Sequence, residues 1–115
     1  MAYRYLFFRP ARLPLTPEEL SADTVLELDD GAEVRASLDR ALPGIAWTGD
    51  GQGRTDVNGQ WMEFFYAPGE GTLSLRCSLR ADYGPIVQRL CDATGWIAFD
   101  ERPRCYQPHR PPMPA

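Results

Sequence analysis

The ten-residue stretch TLSLRCSLRA, Thr72–Ala81, decides the fold of this chain. Apolar and polar side chains alternate along it without interruption. A period of two residues indicates a β-strand with one buried side and one solvent-facing side. The buried side would carry Leu73, Leu75, Cys77 and Leu79, and the other side Ser74, Arg76, Ser78 and Arg80. The sequence therefore predicts a sheet that is covered on one face only, which leaves the other face open to a partner.

Two segments have the periodicity of amphipathic helices that could cover the apolar face of this sheet. The first, over residues 30–42, would end at Pro43–Gly44. The second, over residues 83–94, would have Asp82 as its N-cap and Gly95 just beyond its end. The apolar positions that define them are Val34, Leu38, Ala41 and Leu42 in the first helix, and Ile86, Val87, Leu90 and Cys91 in the second.

Further strands are predicted before and between these helices. The aromatic-rich run YRYLFFR at residues 3–9 favours a first strand, and Asn58-Gly59 indicates a tight hairpin between residues 54–57 and 60–66. Shorter strands are expected at 45–47 and 96–100, and a capping box at Thr16–Glu19 predicts a short helical turn. This order of elements predicts an α+β fold: a mainly antiparallel sheet with two helices on one face, either a ferredoxin-like plait or a variant of it.

The length of 115 residues suits a single domain, which we place at residues 1–101. Residues 102–115 contain five prolines, so we expect them to form a disordered tail. The chain has no apolar run of the roughly 20 residues that a membrane helix needs, and its first residues lack the form of a signal peptide. We therefore expect a cytoplasmic protein that does not bind a membrane.

Charge and composition argue against several function classes. The formal net charge of −4 opposes general binding to nucleic acid, which requires a basic face. The single histidine, His109, lies in the expected tail, and the three cysteines form no CxxC motif, so we predict neither a metal site nor a cofactor. A disulfide between Cys77 and Cys91 is an alternative, but a reducing cytosol opposes it and favours buried thiols. We therefore expect a non-enzymatic protein.

The turns predict which side chains share the open face, because the register of a sheet fixes the side to which each residue points. A two-residue loop pairs Asp56 with Trp61, and a four-residue loop at 67–70 would pair Trp61 with Arg76. An aromatic ring beside a guanidinium group is typical of interface hot spots, although simple cross-strand support of the sheet would give the same pattern. The predicted binding residues are Trp61, Phe65, Arg76, Arg54, Glu63 and Arg80.

Three short strings resemble segments of a group of small uncharacterised bacterial proteins. They are LPGIAW at 42–47, QWMEFFY at 60–66 and LCDATGWIAFD at 90–100, which match a PGI.W segment, an EF strand and a GW..FD ending. The group is similar to small acidic proteins of the toxin-immunity kind, which bind another protein. The resemblance implies no activity, cofactor or catalytic residue.

The sequence thus predicts a bacterial protein-protein interaction module, immunity-like or an adaptor, that binds another protein through its open sheet face. The alternative is a small-ligand-binding protein or an enzyme with a pocket near the glycine-rich loop GDGQG at 49–53. That loop lacks the Lys-Ser/Thr pair and the following helix that a phosphate-binding loop requires.

Overall fold

A computed structural model of the chain describes residues 2–28, 31–49, 51–57, 59–67, 71–79 and 81–114. Within them it has nine strands, two α-helices and one short 3-10 helix. In chain order these are β1 (Tyr3–Pro10), the 3-10 helix (Pro17–Glu19), β2 (Val25–Leu26), α1 (Gly31–Ala41), β3 (Ala46–Trp47), β4 (Gln52–Val57), β5 (Gln60–Ala67), β6 (Thr72–Cys77), α2 (Gly84–Thr94), β7 (Ile97–Asp100), β8 (Arg104–Gln107) and β9 (Arg110–Pro114).

The first strand lies in the middle of the sheet. The order of the strands is β3-β4-β5-β6-β1-β7-β8-β9, and β2 pairs with the end of β1. Every described pairing is antiparallel. The predicted α+β class with a mainly antiparallel sheet is therefore confirmed.

Both helices contribute to one core on one face of this sheet. In α1 the residues Val34 and Leu38 are buried, and in α2 the residues Val87, Leu90 and Cys91 are buried. They belong to a single cluster with strand residues that alternate along the same side of the sheet: Tyr5, Phe7, Met62, Phe64, Leu73, Leu75, Cys77, Ala98 and Tyr106. Burying each large apolar side chain contributes about 1.5–3 kcal/mol, so this one-sided cluster accounts for most of the hydrophobic stabilisation.

The register of the sheet agrees with the sequence at one hairpin and differs at the other. Asp56 lies opposite Trp61, as predicted. Between β5 and β6, however, Arg76 lies opposite Glu63 instead of Trp61, because the last pair before the turn is Ala67 with Thr72. A slip of two residues keeps every side chain on its original face. The apolar side of the sheet is therefore the predicted one.

The prediction of a disordered tail is wrong. Residues 104–107 and 110–114 form β8 and β9 at the end of the sheet. Cys105, Tyr106 and Gln107 are all buried, and Tyr106 belongs to the main core. The prolines do not prevent this, because Pro111, Pro112 and Pro114 lie in β9, the outermost strand, where a missing N–H need not leave a ladder bond unmade.

A second, smaller buried group lies on the face opposite the helices. Ile97 and Cys105 are fully buried, but their neighbours Ala98 and Tyr106 point into the main core, so they face the other way. The segment 11–20 covers them, since its Leu15 is fully buried. Gln107 fastens this segment: its Oε1 accepts from the Leu15 N–H at 2.9 Å and its Nε2 donates to the Leu15 carbonyl at 2.7 Å.

Two boundary predictions also require correction. The strand β6 ends at Cys77, so Leu79, predicted to be buried, is 58% exposed. The N-cap of α2 is Tyr83 in place of Asp82, although the Asp82 carboxylate still accepts from the N–H of Gly84 at 2.9 Å. The short turn predicted at Thr16 is confirmed as the 3-10 helix.

Among the described residues, no helix is both long enough and apolar enough to cross a membrane.

Candidate functional site

The sheet face that carries no helix displays a row of charged side chains across four strands. Arg54 of β4 lies opposite Glu63 of β5, Glu63 lies opposite Arg76 of β6, and Arg76 lies opposite Arg4 of β1. The three arginines are exposed and Glu63 is half-buried. Glu63 thus lies between two arginines in the register, and with three arginines and one glutamate the row has a net positive charge in an acidic protein.

A second row on the same face is apolar. Phe65 of β5 lies opposite Ser74 of β6, Ser74 lies opposite Leu6 of β1, and Leu6 lies opposite Phe99 of β7. Phe8, two residues after Leu6, packs its ring at 5.8 Å from that of Phe99 in an edge-to-face arrangement. All of these apolar side chains are half-buried. The two rows together form what we call the open-face patch: Arg4, Leu6, Phe8, Arg54, Glu63, Phe65, Arg76 and Phe99.

The open-face patch contains some of the binding residues that the sequence predicted. Arg54, Glu63 and Arg76 form one row, and Phe65 lies in the next. The predicted pairing of Trp61 with Arg76 is wrong, because the shifted register places Glu63 opposite Arg76. Trp61 is half-buried, and its main chain is fixed from the core side, where the Tyr83 hydroxyl donates to the Trp61 carbonyl at 2.9 Å. Arg80 lies outside the described residues.

Four members of the open-face patch were missed by sequence reasoning: Arg4, Leu6, Phe8 and Phe99. The alternation in β1 carries the signal for the first three, since Tyr3, Tyr5 and Phe7 point to the core. The sequence does not indicate which strands lie beside β1. Only the topology shows that the first strand inserts between β6 and β7 and so adds its side chains to this face.

The open-face patch is bounded on one side. The segment 11–20 covers the part of this face formed by β7 and β8, where Leu15 contacts through its backbone the side chain of Gln107. The 3-10 helix within the segment is held by the Glu19 carboxylate, which accepts from the Thr16 N–H at 3.1 Å and forms an ion pair with Arg12. The chain itself therefore covers Ile97 and Cys105 on this face, while the members of the open-face patch remain at least partly exposed.

One glycine of the glycine-rich loop is required by packing. Gly53 lies in β4, and a Cβ atom at this position would meet Ile45 Cγ2 at 2.7 Å and the Trp47 ring at 2.8 Å. Glycine is thus required so that β3 can lie close against β4. Residue 50 of the loop lies outside the described residues.

The cysteines have the character of core residues. Cys77, Cys91 and Cys105 are free thiols and all are buried. Burial raises the pKa of Cys77 to about 12, and burial likewise raises that of Cys91. A thiol in this state supplies almost no thiolate at neutral pH and is a poor nucleophile. In the described part of the chain, no group of three or more His, Cys, Asp and Glu could hold a metal ion.

Comparison of the chain with models of known protein families, with characterised proteins and with solved structures found no significant match. The function of the chain is therefore inferred from its own geometry.

Proposed function

We propose that the protein is a non-enzymatic binding module, immunity-like or an adaptor, that binds another protein through the open-face patch. The observation that supports this most is that a row of exposed arginines lies next to a row of half-buried aromatic side chains, on the sheet face that neither α-helix covers. Aromatic and arginine side chains are the residues most enriched at the energetic centres of protein interfaces.

The physical character of the patch indicates the kind of partner. Phe65, Leu6 and Phe99 offer apolar area that is only partly shielded in the isolated chain, so covering it would release bound water. Arg54 and Arg76 have a single carboxylate, Glu63, between them in the row. Guanidinium groups form planar, bidentate pairs with carboxylates, so we expect the partner surface to be apolar at its centre and acidic at its edge.

The strand order supports assigning the fold as a variant of the ferredoxin-like plait. The strands β7-β1-β6-β5 are adjacent and antiparallel, and α1 and α2 each occur between two of them in the chain. The variant would consist in the hairpin β3–β4 added at one side and β8–β9 at the other. Resemblance to small bacterial immunity-type proteins agrees with a binding role and stays a proposal.

Affinity capture with matched arginine variants tests this function. Immobilised wild-type protein, Arg76→Glu and Arg89→Glu would be exposed to a lysate of the source organism, and the retained proteins identified by mass spectrometry. Arg76 is exposed on the open face, whereas Arg89 lies on α2, on the opposite face of the sheet. We expect one protein to be retained by the wild type and by Arg89→Glu and to be lost with Arg76→Glu.

Binding measurements with the purified protein and its captured partner would then give the loss of binding free energy in each variant. Reversal of a charge at a hot spot typically costs about 2 kcal/mol or more of binding free energy, while an exposed substitution changes the stability of the fold by about 0.5 kcal/mol or less. Equal retention by both variants, or retention lost only with Arg89→Glu, would show that the open-face patch is not the binding surface. Trp61→Ala tests the binding role that the sequence predicted for Trp61, a residue outside the open-face patch: a loss of roughly 3–5 kcal/mol in stability would assign its side chain to the core and not to a binding surface.

A further inference from the structure

A cleft of about 400 Å³ opens on the helix side of the sheet, away from the open-face patch. Its walls are the start of β1, the connection from β6 to α2 and the connection from β7 to β8. The residues that line it are Tyr3, Tyr5, Ser78, Leu79, Ala81, Asp82, Tyr83, Arg102 and Arg104. Clefts that bind small molecules are commonly about 300–1,000 Å³ in volume, so this one is large enough for a compact ligand.

A buried carboxylate beneath the cleft fixes one of its cationic walls. The Asp100 side chain is fully buried and its Oδ2 accepts from Arg104 Nε at 3.0 Å and Arg104 Nη2 at 2.9 Å. It also accepts from the Tyr106 hydroxyl at 3.2 Å. Of the Arg104 side chain, 38% is exposed. Arg104 is therefore held by Asp100 while part of its side chain remains accessible at the cleft.

A second guanidinium group and an unpartnered hydroxyl complete this wall. Arg102 is exposed, and its Cζ lies 5.9 Å from the centre of the Tyr3 ring, within the range of a cation–π contact. The Tyr3 hydroxyl is buried and has no hydrogen-bond partner. Asp100 and Arg104 lie near enough to influence its pKa, which burial raises, but neither meets it with hydrogen-bond geometry. A buried polar atom without a partner is costly, and because Tyr3 lines the cleft, a small displacement of its ring would bring the hydroxyl to an acceptor bound there.

The remaining walls limit the charge and shape of what can bind. Asp100 compensates Arg104, so Arg102 is the one cation of the cleft that has no ion-pair partner among the described residues. The Asp82 carboxylate on the other wall repels anions, and it repels a doubly charged group such as phosphate about twice as strongly as a singly charged one. Leu79, 58% exposed, and the tyrosine rings offer apolar surface. A singly charged acceptor group joined to a small aromatic or aliphatic body fits these features.

We propose that this cleft is a binding site for a small aromatic monocarboxylate. The carboxylate would be bound by the guanidinium groups of Arg102 and Arg104 and by the Tyr3 hydroxyl. The aromatic ring of the ligand would lie against Leu79 and the tyrosine rings that line the cleft.

An NMR titration with three probes tests the site in the full chain. Phenylacetate carries the carboxylate, phenylacetamide is its neutral counterpart, and inorganic phosphate is a more highly charged anion. We expect phenylacetate to cause saturable shifts of the amide signals of residues 78, 79, 81–83, 102 and 104, and to bind about tenfold more tightly than phenylacetamide. The absence of saturable shifts up to about 10 mM phenylacetate would overturn the proposal. So would equal binding of phenylacetamide, or tighter binding of phosphate.

Two variants separate binding from folding. Arg102→Gln should weaken phenylacetate binding about tenfold, while Arg89→Gln, a change on α2 outside the cleft, should leave it within about twofold. Tyr3→Phe removes the unpartnered buried hydroxyl, so it should leave the melting temperature unchanged or raised and still weaken binding. If Tyr3→Phe and Arg102→Gln both bind phenylacetate as the wild type does, the cleft residues do not recognise a carboxylate and the proposal fails.

Discussion

Asp100 shows how one buried carboxylate can organise the end of a sheet. Its side chain is fully buried, and it accepts from the N–H groups of Arg102 at 3.0 Å and Arg104 at 2.9 Å as well as from the Arg104 guanidinium. Burial by itself would raise the pKa of Asp100, but the hydrogen bonds from Arg104 outweigh it and hold that pKa below its ordinary value of 3.8. The connection between β7 and β8 is thereby fixed around an ionised group.

Asp100→Asn should destabilise the fold in a pH-dependent way. An amide keeps the size of the side chain but accepts through one oxygen only, and its NH₂ group would face the guanidinium. Because part of the Arg104 side chain is exposed and solvent screens it, we expect a loss of about 2–3 kcal/mol in the free energy of unfolding at pH 7. Urea unfolding would measure it.

The sign of the pH dependence is set by the lowered pKa. The stabilisation by ionised Asp100 is fully present above the pKa of the unfolded chain and is lost as pH falls through the lower folded value. The difference between wild type and Asp100→Asn should therefore shrink below about pH 4. Asp23→Asn, a change at an exposed position, is the control and should stay within about 0.5 kcal/mol throughout. A difference that persists undiminished at low pH would contradict an electrostatic role.

At the scale of elements, the segment 11–20 is held to the sheet by one side chain. Gln107 is 1% exposed and pairs with both the N–H and the carbonyl of Leu15, as a neighbouring strand would. Each partner would be left buried and unsatisfied without it. The covering of Ile97 and Cys105 on the helix-free face therefore depends on this contact.

Gln107→Ala should release this segment locally. We expect a loss of about 2–4 kcal/mol for the two hydrogen bonds and cleavage by trypsin at Arg12–Leu13 at least about tenfold faster than in the wild type. Gln52→Ala, at an exposed position in β4, is the matched control and should leave the cleavage rate unchanged. Unaltered resistance of Gln107→Ala to trypsin would show that Leu15 is held mainly by its apolar contacts.

At the scale of the whole molecule, strands from both ends of the chain belong to one sheet: β1 lies in its middle, and β8 and β9 extend it at one side. β1 lies between β6 and β7, and β8 extends the sheet beyond β7. The Tyr106 ring of β8 packs at 5.9 Å from that of Tyr5 of β1, in an edge-to-face contact within the main core. The two ends of the chain thus belong to the same cooperative unit.

Two truncations test this dependence. Ending the chain after Arg102 removes β8 with its buried Tyr106, and the loss of one such aromatic ring alone costs roughly 3–5 kcal/mol, so we expect no stable fold. Ending it after Pro108 removes only β9, of which Met113 alone is half-buried, and should cost about 1–3 kcal/mol. Circular dichroism and thermal melts would compare the two. A folded product of the first truncation would show that β8 is dispensable.

The amino-acid sequence by itself determined the local structure of this protein and the two sides of its sheet. Alternation in Leu73–Cys77, the helical spacing of Val34 and Leu38, and the turn at residues 58–59 are short-range signals, and they specify strand, helix and hairpin without any partner. The predicted face of each side chain is correct even between β5 and β6, where the predicted register is wrong, because a slip of two residues leaves each side chain on the same face.

Only the tertiary structure decided which strands are neighbours and which polar groups are buried. The sequence predicts disorder for the proline-rich end because its residues have low strand propensity. In the structure β8 forms hydrogen bonds with the edge of β7, and no local pattern indicates that this edge is available. The place of Arg4 beside Arg76 and the contact of Gln107 with Leu15 both join residues far apart in the chain. Such contacts form only when long-range pairing repays the entropy of closing the loops between them, and no local pattern encodes that balance.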